Sequence, residues 1–159
     1  MDADTGRIEA VELTGREADD GARVGPLLDR VDGAVASLTG DGAYDRADVY
    51  GAVAERHPEA AVVVPPRRDA VPSEAAEAAP TQRDRHLRCI AERGRLGWQK
   101  ASGYNRRALA EAAMSRYKRV IGDALRSRTD GRRATEVAIA ARALNRMLEL
   151  GRPESVRIA

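Results

Sequence analysis

Four of the chain's seven prolines fall between Pro65 and Pro80, in the stretch "PPRRDAVPSEAAEAAP", which carries little apolar bulk. Proline fixes φ and has no N–H to donate, so neither a helix interior nor a central strand runs through such a segment. It reads as a surface loop, residues 65–82, and it divides the 159 residues into two parts of different character. Residues 1–64 form a sheet-forming part and residues 83–159 a helical part, within one domain of ordinary size.

Before the loop, "RIEAVELT" (7–14) mixes β-branched and apolar residues after the turn-like "DADTG" (2–6), which predicts a strand entered from a hairpin turn. "DDGARVGPLLDRVDG" (19–33) places Val24, Leu27, Leu28 and Val31 at helical spacing and stops at Gly33. "AVASLTGDGAYD" (34–45) predicts a short apolar strand running into Gly40, Asp41 and Gly42. Asp45 is then placed to cap a helix through about Arg56, with Val49, Ala52 and Val53 on one face. "AAVVVPP" (60–66) is a buried strand stopped by two prolines. After the loop, residues 83–101 read as a helix interrupted near Gly94 and Gly97, and residues 104–127 as a long helix. A break follows at Thr129–Gly131, then a last helix over 132–150, ended by Gly151 and Pro153. Strands alternating with helices, followed by helices, predict an α/β fold with a mixed sheet flanked by helices.

The core must be built from Ala, Val and Leu, because the chain has no Phe, one Trp and four Tyr. Such a core buries less apolar area per residue. No apolar run approaches the length of a membrane span. The start "MDADTGRIEA" lacks the basic and apolar regions of a secretory signal. The single Cys89 excludes an intrachain disulfide and a cysteine metal cluster. A cytoplasmic protein is the expectation.

The net charge of +2 conceals a strong asymmetry. Residues 1–82 hold 17 acids against 8 Lys/Arg, a balance of −9, and residues 83–133 hold 5 acids against 15 Lys/Arg, a balance of +10. A block this basic attracts polyanions, of which phosphate backbones are the commonest. A solvated face that balances the acidic half explains the charge equally well.

Within the basic block, "GYNRRALAEAAMSRYK" (103–118) contains one acid, Glu111. At about 100° per residue, Tyr104, Arg107, Glu111 and Lys118 fall at about 0°, 300°, 340° and 320°, a stripe about 60° wide. Leu109, Val120 and Ala113 fall at about 140°, 160° and 180°, so the opposite side is predicted to pack. Spacing alone leaves two readings open. Arg107 and Glu111 are either a plain helical ion pair worth a few tenths of a kcal/mol, or part of a row of functional side chains.

Tyr, two residues, Arg, three residues, Glu, six residues, Lys is similar to the signature of a large group of bacterial insertion-sequence DDE transposases. The resemblance extends to "GDGAYD" (40–45) and to the tail "RRATEVAIAARALNRMLELGRPESVRIA". It implies an RNase H-like fold in which Asp41, at the end of a buried strand, is the second catalytic, metal-binding carboxylate and Glu111 the third. It implies that Tyr104, Arg107 and Lys118 contact DNA beside them. Several carboxylates are what two-metal phosphoryl transfer requires, with Mg²⁺ or Mn²⁺ held about 4 Å apart on oxygen ligands. A lone glutamate among bases suits a place where metal and DNA meet. The implied partners are transposon-end and target DNA, with a homo-oligomer for the full-length enzyme and no membrane. Against this, Asp41 in "GDG" is also a common turn residue, and a non-enzymatic basic DNA-binding or partner-binding module is the alternative function.

Transposases of this kind use three carboxylates, the first on the first strand of the fold. Working back from Asp41, the chain supplies one helix, one strand and one turn, and its early acids Asp2 and Asp4 fall in that turn. The expectation is therefore the C-terminal portion of the catalytic domain, lacking its first strand and first aspartate. An apolar sheet edge would be open, metal binding weak, and the isolated chain without strand-transfer activity.

Of the other residues, Trp98 suits either base stacking or core packing, and packing is commoner for a lone Trp. His57, before Pro58, is expected to close a helix end or be solvated. His86 and Cys89 lie three apart, too few for a zinc site, and Cys89 is expected as a small buried apolar side chain. Asn145, Arg146 and Met147 are expected in helix packing.

Overall fold

The computed structural model describes residues 1–15 and 17–151. The chain forms two compact units, one of Glu17–Arg107 and one of Met1–Arg16 with Ala108–Ala159. Among the described residues are five α-helices and one small parallel sheet, so the class is α/β as expected.

In the Glu17–Arg107 unit, helix α1 (Val24–Leu28) is much shorter than the expected 19–33. A 3-10 turn, Gly21–Arg23, leads into it, and the chain leaves the helix at Asp29, whose carboxylate is drawn to Arg56 at 2.6 Å. Strand β1 (Ser37–Thr39), helix α2 (Ala47–Arg56) and strand β2 (Ala61–Val63) follow. The strands run parallel, with Leu38 opposite Val62. Val24, Leu28, Val49, Val53, Ala60, Val62 and Val64 form the core, with Val35, Leu38, Tyr44 and Tyr50 packed against it. This is the Val- and Leu-built interior that a chain without Phe requires. His57 closes α2 with its N–H on the Val53 carbonyl at 2.8 Å, the helix-end role expected of it.

Past the proline-rich loop, α3 (Gln82–Ser102) starts from a capping box. Thr81 accepts the Asp84 N–H, and Asp84 accepts the Thr81 N–H. The helix kinks at Gly94 (φ 70°, ψ 170°), as its glycines foretold, but runs helically through Gly97. Cys89, expected to be buried, is only half-buried.

The side chains of α3 close the outer edge of β2. Ala61 and Val63 bond towards β1 and the residue after it, through Ala61 N–H to Ala36 at 3.0 Å and Gly40 N–H to the Val63 carbonyl at 3.3 Å. Val62 faces the other way. Its N–H donates to Gln82 Oε1 at 2.8 Å, its carbonyl meets His86 Nε2 at 2.8 Å, and Gln82 Nε2 donates to the Ala60 carbonyl at 3.0 Å. A strand edge left unpaired is a template for aggregation, and here a helix occupies it instead.

In the other unit the turn at residues 2–6 forms, with the Gly6 N–H on the Asp2 carbonyl at 3.0 Å and Asp2 Oδ1 accepting the Asp4 N–H at 2.9 Å. The strand expected over 7–14 does not form. A side chain takes the part of a neighbouring strand: the Asn145 carboxamide accepts the Ile8 N–H and donates to the Ile8 carbonyl, both at 2.9 Å. Helix α4 (Arg107–Val120) has its first residue in the Glu17–Arg107 unit and is shorter than the expected 104–127. Helix α5 (Asp130–Glu149) buries Val137, Ala140, Ala141 and Leu144. The link between them is tied by Glu136, whose carboxylate accepts the N–H groups of Arg126 and Ser127 at 2.8 Å each and is held below its usual range by them. Gly151 takes φ 75° after α5, while Pro153 lies outside the described residues. No helix among the described residues is long and apolar enough to cross a membrane.

Candidate functional site

Asp41 stands two residues past β1, at the C-terminal end of a parallel strand, the end at which open α/β sheets bind their ligands. Its backbone is extended (φ −83°, ψ −179°) and caps the 3-10 turn Gly42–Tyr44, with Oδ1 accepting the Ala43 N–H at 2.9 Å. The turn role weighed from the sequence is therefore real, and it fixes the carboxylate in one orientation. The other oxygen, Oδ2, lies 3.7 Å from Arg107 Nη2, with the Asp41 side chain 48% exposed. At that exposure and length the pair contributes about 0–1 kcal/mol, too little for a structural clamp.

Asp45, expected to cap α2, does something else. The N-cap of α2 is Arg46, without a side-chain cap bond. The Asp45 carboxylate is fully buried and accepts Arg83 Nε at 2.8 Å, Arg83 Nη2 at 3.1 Å and the Arg67 N–H at 2.9 Å. Burial pushes its pKa up, but the Arg83 guanidinium and the Arg67 N–H outweigh that and hold it below the usual carboxylate range. Burial also lifts the neighbouring Tyr50 hydroxyl to about 12, with the Asp45 charge adding to the effect. The turn that carries Asp41 is thus fastened at its far end to the start of α3.

Tyr104 and Arg107 are placed by a different device. Gly103 adopts φ 72°, ψ 16°, a left-handed conformation that a residue with a Cβ resists, and turns the chain out of α3. Tyr104–Arg106 form a 3-10 turn and α4 begins at Arg107. The half-buried Tyr104 ring lies 5.3 Å from the ring of Trp98, tilted by 38°. Trp98 is a packing anchor, 1% exposed, as the commoner of its two readings had it.

Glu111 and Lys118 are exposed residues of α4 within the Met1–Arg16 and Ala108–Ala159 unit. Of the α4 face predicted to pack, Ala113 lines the unit's cavity, whereas Leu109 and Val120 do not. Leu109 and Val120 are each 46% exposed. The side of α4 that lines the unit's cavity of about 460 Å³ carries Ala110, Ala113, Met114 and Tyr117, and Ile121 just past the helix lines it too. Within α4, at about 100° per residue, the cavity-lining side is rotated from Leu109 and Val120 towards Tyr117 and Ala110, with Ala113 at its edge. Lys118, on the predicted polar stripe, also lines that cavity.

The geometry therefore brings Asp41 and Arg107 together and sets Tyr104 beside Trp98 within one unit. Asp41 has the chemistry of a ligand for a hard cation: an accessible carboxylate oxygen, oriented by a cap bond on the other. It is one ligand, and among the described residues no group of three or more His, Cys, Asp or Glu side chains is gathered that could hold an ion. Sequence reasoning missed the Asp45–Arg83 fastening and the buried Asp84. The Thr81-to-Asp84 spacing was a readable capping signal; nothing local signals a partner as distant in sequence as Arg83 is from Asp45.

The fold is that of an α/β protein with a carboxylate, faced by an arginine, at the strand end where such sheets commonly bind ligands. The family model for the transposase DDE domain matches residues 1–148, and the chain belongs to that family. Transposition and a DNA partner are what membership implies. No solved structure matches the chain.

Proposed function

We propose that this chain supplies two carboxylates, Asp41 and Glu111, and three DNA-contacting side chains, Tyr104, Arg107 and Lys118, to the catalytic centre of an insertion-sequence transposase of the Tyr-Arg-Glu-Lys group. The sheet is on this reading part of an RNase H-like fold. In support, the β2 edge is closed by Gln82 and His86, so further strands can add only beside β1, the strand that leads to Asp41. Asp41 and Glu111 would each offer a carboxylate to Mg²⁺ or Mn²⁺, whose chemistry there would be Lewis-acid assistance to phosphoryl transfer. Arg107 and Lys118 neutralise and orient the phosphate backbone, and Arg107 can offer a planar pair of donors to it. Tyr104 presents a ring and a hydroxyl at the same turn.

The observation that carries this reading is the approach of Arg107 to Asp41, which joins the signature to the strand-end carboxylate. The test is Mn²⁺ binding, followed by paramagnetic broadening of the amide signals of Gly42 and Ala43 in the presence of a transposon-end duplex. Asp41→Asn and Glu111→Gln are each expected to weaken ion binding about tenfold or more while DNA binding persists. Arg107→Ala and Lys118→Ala are expected to weaken DNA binding and flatten its salt dependence. Unchanged broadening in Asp41→Asn would remove the metal role. DNA binding indifferent to both carboxylate changes, without ion binding, would leave the basic-module reading.

A further inference from the structure

We infer that His86 is a positioning residue for the signature turn: through Trp98 it fixes the base on which Tyr104 and Arg107 are set. Trp98 Nε1 lies 2.9 Å from His86 Nδ1, and His86 Nε2 lies 2.8 Å from the Val62 carbonyl. An indole N–H only donates, so Nδ1 must accept, and the imidazole is neutral with its proton on Nε2, donated to Val62. Both nitrogens are engaged, and the ring has one orientation. The His86 and Trp98 rings meet edge-on, with centroids 5.5 Å apart at 87°.

The connection therefore runs from the edge of β2, through His86 on α3, to the buried indole, and from the indole to Tyr104. Arg107 opens α4 three residues later, its guanidinium 3.7 Å from Asp41. The same strand pair that delivers Asp41 at the end of β1 thus sets, by way of β2 and two aromatic rings, the turn that brings Arg107 to it. Packing alone would ask only for apolar volume at position 86. Two directional bonds, one accepted and one donated, ask for a residue that can do both.

This inference deepens the proposed function and rests on Arg107 serving DNA. A double-mutant cycle in the full chain tests it, reading affinity for a short DNA duplex at fixed salt. Arg107→Ala is expected to cost about tenfold, the loss of one charge-assisted bond to phosphate. His86→Leu, which fills the space and makes neither bond, is expected to cost nearly as much, and the double variant little more than either. His86→Gln, which can both accept and donate, is expected to recover most of the affinity. Leu28→Ala, a destabilising change in the core of the same unit, is expected to leave DNA affinity unaltered, which separates positioning from stability. In the unsubstituted protein the Trp98 indole N–H is expected to exchange slowly with solvent, a readout that needs no variant to fold. Multiplying losses in the double variant, an equal effect of Leu28→Ala, or a rapidly exchanging indole N–H would overturn the inference. If Arg107→Ala alone leaves DNA affinity unchanged, the DNA reading of the signature fails instead, whatever His86 does.

Discussion

The Glu17–Arg107 unit and the unit made of the two ends of the chain are held in different ways. In the first, buried polar groups are tied to distant partners: Asp45 to Arg83 and Arg67, Asp84 to Ser73 and Thr81, His86 to Val62 and Trp98. Its helix α2 keeps Val49 and Val53 out of water altogether. In the second, α4 has no buried residue, and Leu109, Met114, Val120, Ile139 and Met147 are exposed. Buried polar bonds of exact direction specify one arrangement, whereas small side chains over a cavity specify less. Asp41 and Arg107, which lie 3.7 Å apart, belong to the first kind of construction. Glu111 and Lys118 stand on the second kind.

The largest expected effect strikes the first unit at its one Trp. Trp98→Ala removes the biggest buried side chain and leaves His86 Nδ1 without its donor, at a cost of about 3–5 kcal/mol. Denaturant unfolding followed by amide exchange will show whether the loss falls on residues 17–107, as the contrast demands. Asp45→Asn comes next. It leaves the Arg83 guanidinium facing a neutral amide in a largely buried place, at about 2–3 kcal/mol. Unfolding midpoints measured against the wild type check it, and a change below about 0.5 kcal/mol would show that the fastening is ornamental.

A third, pH-gated effect belongs to Asp84. The Ser73 N–H, the Thr81 hydroxyl and the Thr81 N–H hold its carboxyl well below the ordinary range near about 4. A group depressed in the folded state contributes fully above its unfolded pKa, and the contribution fades as pH falls towards the folded value. Asp84→Asn should therefore lower the urea midpoint at neutral pH, and the wild-type and variant curves should draw together in acid. Parallel curves would mean that the charge of Asp84 is not what its bonds reward. Fourth, Asn145→Ala deletes both bonds to Ile8 and is expected to cost about 1–2 kcal/mol, with exchange accelerated at the Ile8 amide.

The parts of this structure that could be read from the sequence are those with local causes. The run "ASLTGDG" announces a strand that must stop, and β1 does stop just before Asp41; "AVVVPP" does the same for β2, and Gly94 marks a kink that forms. The errors have distant causes. The β-branched content of 7–14 suggested a strand, but its partner is a single carboxamide on α5, and no pattern within eight residues encodes that. Asp45 precedes a helix and looks like its cap, yet a half-buried arginine thirty-eight positions on is the stronger competitor for its oxygens. The spacing of Tyr104, Arg107, Glu111 and Lys118 was legible as a signature, but the side opposite that stripe is only in part the packed one, and what α4 packs over is set by distant residues such as Ile8 and Val137.

The smallest expected effect tests that corrected face. Leu109 was assigned to the packed side of α4 by an ideal wheel and is found 46% exposed. Leu109→Gln trades a half-wet apolar side chain for a polar one and is expected to change stability by less than about 0.5 kcal/mol. Ala113→Gln, on the face lining the cavity, must push a longer polar chain against Tyr117 and its neighbours and should cost distinctly more, about 1–3 kcal/mol. Gln is a poorer helix former than Ala and about equal to Leu, so propensity accounts for only a few tenths of a kcal/mol of the difference and packing for the rest. Equal costs would return the helix to the face its hydrophobic spacing first suggested, and would mean that Leu109 and Val120 are covered when the protein is in solution.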